Sequence, residues 1–238
     1  MSDQDKKAKG VVDLVFLIDA TGSMQPCIDA LKNNISTFID SLTTRGPNNE
    51  NPIKHWRAKA VGYRDFKCDS IPFVDNPFVE DAGQLKAQLA KLEATGGGDE
   101  PESLLDALYK VSTMTQMPKG AASLEPNMWR YRSEAARVVV AFTDASYHEV
   151  MEQPKGTVAD LINVLHSNRI ILNLFAPEMP CHDALCAADK SDYQAISLAG
   201  GKSPQEALQE FTADQANFRK TMEALAKSVT KSAETPAL

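Results

Sequence analysis

Three continuous apolar runs, rich in β-branched residues and separated by stretches of helical periodicity, constrain the fold of this chain more than any other feature. The runs are VVDLVFLI, RVVVAFT and RIILNLF, at residues 11–18, 137–143 and 169–175. Because their apolar residues are continuous rather than alternating, they are typical of buried strands in a parallel sheet. Further strands are predicted at HWRAKAVGY, residues 55–63, and around IPFVD, residues 71–75.

Between the strands, apolar residues recur with the period of an amphipathic helix. One such face runs from Ile28 to Leu42, a second from Leu85 to Leu92, and a third from Leu104 to Val111. Two closing helices are predicted at SPQEALQEF and ADQANFRKTMEALAKSV. Strands that alternate with helices require crossover connections, so the sequence predicts an α/β fold with a doubly wound, mostly parallel sheet flanked by helices.

The length of 238 residues fits one large domain. We expect that domain to span residues 10–231, with an insertion at 118–135 whose Trp129 packs on the domain. The segments 1–9 and 232–238 lack a periodic apolar face, so we expect disordered tails there.

Composition narrows the choice of partners and compartment. A net charge of -7, a pI of about 5.2 and the lack of a basic stripe argue against nucleic acid and membrane surfaces. The first apolar run is too short for a membrane span or a signal peptide. Four irregularly spaced cysteines suit reduced thiols, so we expect a cytoplasmic protein. A zinc site at CHDALC, residues 181–186, is a weaker alternative because no second ligand pair lies nearby.

Oxygen-bearing side chains follow two of the predicted strands. In DATGS, after the first run, Asp19, Thr21 and Ser23 can turn three oxygens inward, and we expect Gly22 to permit a tight loop. Asp144, in TDAS, follows the strand RVVVAFT. Ligands of open α/β sheets bind beyond the carboxyl ends of the strands, so these side chains are candidates for one site.

Two further segments could contribute to that site. The glycine-rich loop ATGGGDEPES offers Asp99 as a ligand, with Thr95 or Ser103 as substitutes. Asp65, in YRDF, ends the second strand, and we expect it to pair with Arg64 or to orient a ligand rather than to bind metal itself.

Carboxylate, hydroxyl and water oxygens are the ligands of a hard divalent cation, so the sequence predicts a site for Mg²⁺, with Mn²⁺ or Ca²⁺ as alternatives. A site with so few protein charges leaves a coordination position for an acidic group from outside. The competing interpretation is that Asp19 and Asp144 are helix N-caps.

In these motifs the chain resembles the von Willebrand factor type A domain (vWA). The metal-ion-dependent adhesion site (MIDAS) of that family combines an Asp-x-Ser-x-Ser loop after the first strand, a residue from a second loop and an Asp after the fourth strand. DATGS is similar to the first element, and VVVAFTDAS, which contains Asp144, is similar to the last. The loop GGGDEPESLLDAL resembles the acidic variant of intracellular and kinase-associated members. The resemblance covers about residues 10–230.

The resemblance implies a Rossmann-like fold and a protein-binding module rather than an enzyme. Its bound metal would be completed by a Glu or Asp of a protein partner, and its last helix, predicted at 212–229, could move on binding. Intracellular members accompany ATPases, kinases, and defence or stress systems, which implies a scaffold or regulator.

Two other functions compete with that one. DATGS also resembles the phosphorylated loop of P-type ATPases, which would make Asp19 the nucleophile of a magnesium-dependent phosphotransferase or phosphatase. The sequence shows neither a convincing catalytic lysine with a second acidic motif nor a P-loop. A structural subunit with a vestigial metal site is the other alternative, although no core position of the motif has lost its oxygen.

Overall fold

The computed structural model describes residues 10–44, 51–97 and 100–234. The predicted tail at 1–9 and the predicted ligand Asp99 lie outside these ranges. The described strands are β1 (Val11–Asp19), β2 (His55–Tyr63), β3 (Phe73–Asp75), β4 (Ala136–Phe142), β5 (Ile170–Pro177) and β6 (Asp192–Ile196). They form one sheet in the order β3-β2-β1-β4-β5-β6.

Every neighbouring pair in the sheet is parallel except β2 and β3, which are antiparallel. β4 is buried along its whole length and β1 is buried after its first residue, because helices cover both faces of the sheet. This two-sided burial explains why their sequences are continuously apolar. The structure therefore confirms the predicted α/β class and its mostly parallel sheet.

The helices build the two outer layers. They are α1 (Gln25–Thr43), α2 (Ala82–Leu89), α3 (Leu104–Ser112), α4 (Val158–Asn168), α5 (Pro180–Leu185), α6 (Pro204–Ala213) and α7 (Gln215–Glu234). One apolar cluster joins one face of the sheet to α1, α2, α6 and α7, and a second joins the opposite face to α3, α4 and α5. Within the described ranges, no helix is long and apolar enough to cross a membrane.

The final helix reaches further than predicted. α7 continues to Glu234, and Ala233 in its last turn is fully buried. Residues 232–234 therefore belong to the helix and not to a tail, while residues 235–238 lie outside the described part of the chain. The predicted apolar stripe of this helix is confirmed, since Phe218 and Val229 are both buried.

A buried charge network anchors the insertion at the amino-terminal end of the sheet. Asp13 of β1 is fully buried and accepts hydrogen bonds at 2.7 and 2.8 Å from the guanidinium of Arg57. It also accepts bonds at 2.8 and 2.7 Å from the backbone and the guanidinium of Arg130, which belongs to the insertion. Trp129 beside it is fully buried and donates to the carbonyl of Val111 at 2.9 Å, as the predicted packing requires.

Candidate functional site

The candidate site lies at the carboxyl ends of β1 and β4, which are neighbours in the sheet. In the sheet, β2 lies beside β1 on one side of this point and β5 lies beside β4 on the other. The successive strands are therefore added in opposite directions from the boundary between β1 and β4. Ligands of open α/β sheets bind at such a switch point. A cavity of about 280 Å³ opens here, and its walls include Thr21, Ser23, Glu102 and Asp144.

Asp19, the last residue of β1, is fully buried and held by three hydrogen bonds. Its Oδ1 accepts from the backbone N–H of Thr21 at 3.0 Å and from the Thr21 hydroxyl at 2.7 Å. Its Oδ2 accepts from the hydroxyl of Thr143 at 2.8 Å. The sequence prediction did not include Thr143, although this residue precedes Asp144 in the TDAS motif.

Asp144 is also buried, and one of its oxygens is unpartnered. The Ser23 hydroxyl acts to lower the pKa of the Asp144 carboxyl group, while Oδ2 of Asp144 has no hydrogen-bond partner among the described residues. A buried carboxylate oxygen without a partner is costly and is explained most simply by an ion or water that it would bind.

The N-cap interpretation of the two aspartates is wrong. The N-caps of the short 3₁₀ turn before α1, of α1 itself and of α4 are Thr21, Met24 and Thr157. Neither Asp19 nor Asp144 occupies a cap position, so their burial needs another explanation.

Glu102 is a third carboxylate of the site, and the sequence prediction missed it. Its side chain is 4 % exposed, and its Oε2 has no hydrogen-bond partner among the described residues. Backbone bonds hold it against the loop after β4: its N–H donates to Ser146 at 2.9 Å, and its carbonyl accepts from His148 at 3.0 Å. The only sequence signal was its place in GGGDEPES, where Asp99 is the first acidic residue after the glycines.

Burial and nearby carboxylates raise the pKa values of all three acidic side chains. Burial, followed by the negative charge of Asp144, raises the pKa of Asp19 to about 6. Burial, followed by the charge of Asp19, raises the pKa of Glu102 to about 8. Burial also raises the pKa of Asp144. Among the described residues, no Lys, Arg or His side chain forms an ion pair with any of the three, so their negative charge has no paired cation there.

The two suggested substitutes for Asp99 point elsewhere. Thr95 is exposed, and its backbone N–H donates to the carbonyl of Ala20 at 2.9 Å. Ser103 is buried, but its hydroxyl donates to Asp65 at 2.9 Å. These contacts tie the loop to the ends of β1 and β2 and leave neither hydroxyl in the cavity wall.

Asp65 orients neighbours and is not paired with Arg64. Besides Ser103, it accepts from the backbone of Lys67 at 2.8 Å and lies 3.3 Å from Nε2 of His148. Arg64 instead donates to backbone carbonyls, among them that of Ala20 at 3.1 Å. Asp65 therefore joins the segment after β2 to the loop after β4, in keeping with a supporting role rather than that of a ligand.

The glycine that the site requires is Gly97 and not Gly22. The φ angle of Gly22 is not positive, and a Cβ there would meet only the Gly96 carbonyl, at 3.8 Å. Gly97 has a φ of +72°, and a Cβ would lie 2.7 Å from Cβ of Thr21 and 2.9 Å from Oε1 of Glu102. The second loop therefore approaches the DATGS loop so closely that only glycine fits.

The donor atoms at the site are mixed. Among the described residues, no group of three or more His, Cys, Asp or Glu side chains is arranged to hold a metal ion. The available donors are instead hydroxyls and carboxylates, including the unpartnered oxygens of Glu102 and Asp144. Such a set fits Mg²⁺, which keeps several waters and needs few protein ligands. It does not fit a closed structural zinc site.

The weaker zinc alternative at CHDALC finds no support in the geometry. Both ring nitrogens of the buried His182 face backbone carbonyls, at 3.0 Å from Pro177 and 3.2 Å from Ala145. The imidazole thus tethers the loop after β4 to the end of β5 and is not directed at the two cysteines.

Comparison with known proteins finds similarity to one domain family. Residues 13–121 match the family model of the von Willebrand factor A domain. The alpha-protein kinase vwkA of Dictyostelium discoideum is 24% identical over 142 residues, which are 60% of this chain and 20% of that protein. The putative ariadne-like RING finger protein R811 of Acanthamoeba polyphaga mimivirus is 32% identical over 95 residues, which are 40% of this chain and 9% of that protein.

The matched region is therefore a small part of each relative, and the shared feature is the domain. Von Willebrand factor A domains generally serve as interaction modules. The matched residues contain most of β1, all of β2 and the DATGS loop. Over residues 13–121 the chain is therefore similar to the von Willebrand factor A domain, and its six-stranded, mostly parallel sheet is consistent with the Rossmann-like fold of that domain.

Proposed function

We propose that this protein is a metal-dependent protein-binding module that recognises an acidic side chain of its partner. The observation that carries the proposal is the buried, uncompensated group of Asp19, Glu102 and Asp144 at the switch point of the sheet. A cation would offset the burial and the carboxylate repulsion that together raise the pKa values of Asp19 and Glu102. The preferred ion is Mg²⁺, with Mn²⁺ or Ca²⁺ as alternatives.

Each residue has a separate role in this proposal. Asp144 and Glu102 would contribute their unpartnered oxygens, and Thr21 and Ser23 their hydroxyls. Asp19 would fix the Thr21 hydroxyl and supply negative charge. Asp99 stays a candidate ligand outside the described residues. When bound, the ion would supply a positive charge for a Glu or Asp carboxylate of the partner.

The enzyme alternative is less well supported. Both oxygens of Asp19 accept hydrogen bonds from threonine hydroxyls, and the side chain is fully buried. A phosphoryl acceptor must be accessible, and the residues that line the cavity include no lysine to hold a phosphate. A vestigial site is disfavoured because the oxygen donors of the DATGS and TDAS loops are retained.

The partner is proposed to belong to a larger assembly. The two relatives, a kinase and a RING finger protein, each carry the matched region as a small part of a longer chain. We propose a corresponding role for this protein as a scaffold or regulator beside an ATPase, kinase, or defence or stress effector. We place it in the cytoplasm, where its four cysteines would stay reduced.

Thermal unfolding with increasing Mg²⁺ or Mn²⁺ tests the metal site. An ion that binds only the folded protein stabilises it by about 2.7 kcal/mol at a concentration one hundred times its Kd. Asp19→Ala and the isosteric Asp144→Asn should lose this gain. Asp29→Ala should keep it, because Asp29 lies half-exposed on α1 and pairs with Lys32. The proposal fails if wild-type protein gains no stability at millimolar metal, or if both site variants gain as much as wild type.

Affinity capture then tests the partner. Wild-type protein with Mg²⁺ should retain a partner that EDTA releases and that Asp144→Asn does not retain. An acidic-to-amide substitution in the bound segment of that partner should abolish retention. Capture that is unchanged by EDTA and by Asp144→Asn would show that binding does not use the metal.

A further inference from the structure

A second cavity of about 280 Å³ lies at the opposite end of the sheet, where β4 and β5 begin. Its floor is apolar and includes Ala136, Leu165 and Ile170. Three cationic residues, Arg132, Arg169 and Lys190, form the rest of its wall together with His166 and Asp189. We call this cavity the basic pocket. It is separate from the metal site, because β4 runs the full depth of the sheet between them.

The three cations of the basic pocket are exposed, and none of their side chains forms a hydrogen bond or an ion pair with a described residue. By contrast, the buried cations Arg57 and Lys59 are paired with Asp13 and Asp75. Three unpaired cations around one cavity therefore mark a place where negative charge would be favourable.

Two of these cations occupy an uncommon backbone conformation. Arg169 has a φ of 54° and Lys190 a φ of 58°, and they are the two non-glycine residues with positive φ among the described residues. Glycine is the favoured residue at such positions, above all at the C-terminal end of a helix, where Arg169 caps α4. Departures of this kind are concentrated at functional sites. Both of them line the basic pocket.

The charge around the cavity is positive although the chain as a whole is acidic. Asp189 offsets one of the three cations, and the carbonyls at the C-terminal end of α4 offset about half of another charge. Behind the wall, the guanidinium of Arg137 is buried and held by the carbonyls of Arg130 and Asn168. Burial, together with the nearby cations, lowers the pKa of Arg137 to about 10.

The wall is also held in a fixed arrangement. The backbone N–H of Asp189 donates to Nε2 of His166 at 2.7 Å. This bond fixes the turn that carries Lys190 against the last turn of α4, which carries Arg169. The two cations are therefore positioned by backbone structure rather than only by flexible side chains.

We propose that the basic pocket binds a small organic phosphate monoester, with the phosphate between Arg132, Arg169 and Lys190 and the apolar part of the ligand on the floor. A phosphate monoester carries about −1.5 to −2 charges at pH 7. This charge is similar in size to the net positive charge of the three cations after Asp189 and the C-terminal end of α4 have been taken into account. A single guanidinium group can donate two parallel hydrogen bonds to two oxygens of one phosphate. A cavity of about 280 Å³ is at the small end for organic ligands, so a single ring suits it.

Isothermal titration with phenyl phosphate tests this proposal, with inorganic phosphate and benzyl alcohol as the two partial ligands. Wild-type protein should bind phenyl phosphate at least tenfold more tightly than inorganic phosphate, and benzyl alcohol should not bind measurably. The variants are Arg169→Gly, Lys190→Gly and Arg132→Gln, and each should weaken phenyl phosphate binding at least tenfold. Arg219→Gln is the matched control, since Arg219 is exposed on α7 and pairs there with Glu223.

The two glycine variants separate binding from folding. Glycine suits the backbone at residues 169 and 190, so their unfolding midpoints should equal or exceed that of wild type. Weaker binding by a protein of unchanged or greater stability supports the proposal. It is overturned if phenyl phosphate does not bind, if inorganic phosphate binds as tightly, or if the three variants bind like Arg219→Gln. Tighter binding of a glutamate-rich peptide would also overturn it, in favour of a protein-docking surface.

Discussion

Replacing Glu102 with glutamine should remove a pH-dependent loss of stability from the metal-free protein. Burial, followed by the charge of Asp19, raises the pKa of Glu102 from 4.5 to about 8. Between these two values the folded protein holds a proton that the unfolded chain has released. Rising pH therefore favours unfolding, and the stability of the wild-type protein should fall as pH increases from about 4.5 to about 8.

The size of this loss of stability follows from the same shift in the pKa of Glu102. A change in pKa from 4.5 to about 8 sets an upper limit of about 5 kcal/mol, at about 1.4 kcal/mol for each pH unit. The cavity beside Glu102 lets water approach the carboxylate, and this hydration reduces the expected loss to about 2 kcal/mol. Glutamine has nearly the same shape and does not ionise, so Glu102→Gln should be the more stable protein at pH 8.

Urea unfolding in EDTA at pH 5, 6, 7 and 8 measures this difference. The free energies of unfolding of wild type and Glu102→Gln should be similar at pH 5 and should separate as pH rises. Glu149→Gln is the control, since Glu149 is exposed on the loop after β4, and its curve should run parallel to that of wild type. Millimolar Mg²⁺ should reverse the order at pH 8, because wild type then gains a ligand that the variant lacks. A constant difference between wild type and Glu102→Gln across the pH range would refute the reasoning.

Two further substitutions test the contacts around the site and the insertion. Gly97→Ala should destabilise the protein by about 2 to 3 kcal/mol and weaken the response to Mg²⁺, because alanine there is strained and collides with Thr21. Gly201→Ala, with a similar φ of +76° and no atom within 4 Å, should cost only about 1 kcal/mol in the same urea unfolding. Asp13→Ala should cost about 3–5 kcal/mol, because it leaves two buried guanidinium groups without their carboxylate. Asp29→Ala, which breaks a half-exposed pair, should cost less than about 1 kcal/mol, and equal losses for the two aspartates would contradict the buried network.

The elements that the sequence predicted well are those with the strongest burial. β2 was predicted from His55 to Tyr63 with both ends correct, and β1 differs by one residue. β6 was missed because DYQAI, Asp192–Ile196, is an edge strand with several exposed side chains and therefore lacks a continuous apolar run. α4 was not predicted, although Leu161 and Leu165, which are four residues apart, form the buried part of an apolar face with helical spacing.

The site could be predicted only where it follows from the ends of strands. Asp19 and Asp144 were identified because parallel strands bring their carboxyl ends to one edge of the sheet. Glu102 could not be identified in this way, since its position depends on backbone bonds to Ser146 and His148, far along the chain. The requirement for Gly97 likewise arises from the approach of two loops, which no local pattern records.

Both candidate sites depart from what stability alone would select. At the carboxyl end of the sheet, three carboxylates are buried together although Asp144 raises the pKa of Asp19, and both aspartates raise the pKa of Glu102. At the amino end, Arg169 and Lys190 stand where glycine would be less strained. Both arrangements lower the stability of the folded domain. Destabilising arrangements of this kind are retained where they serve a function. The carboxylates need a cation and the cations need an anion, so each end of β4 points to a ligand of opposite charge.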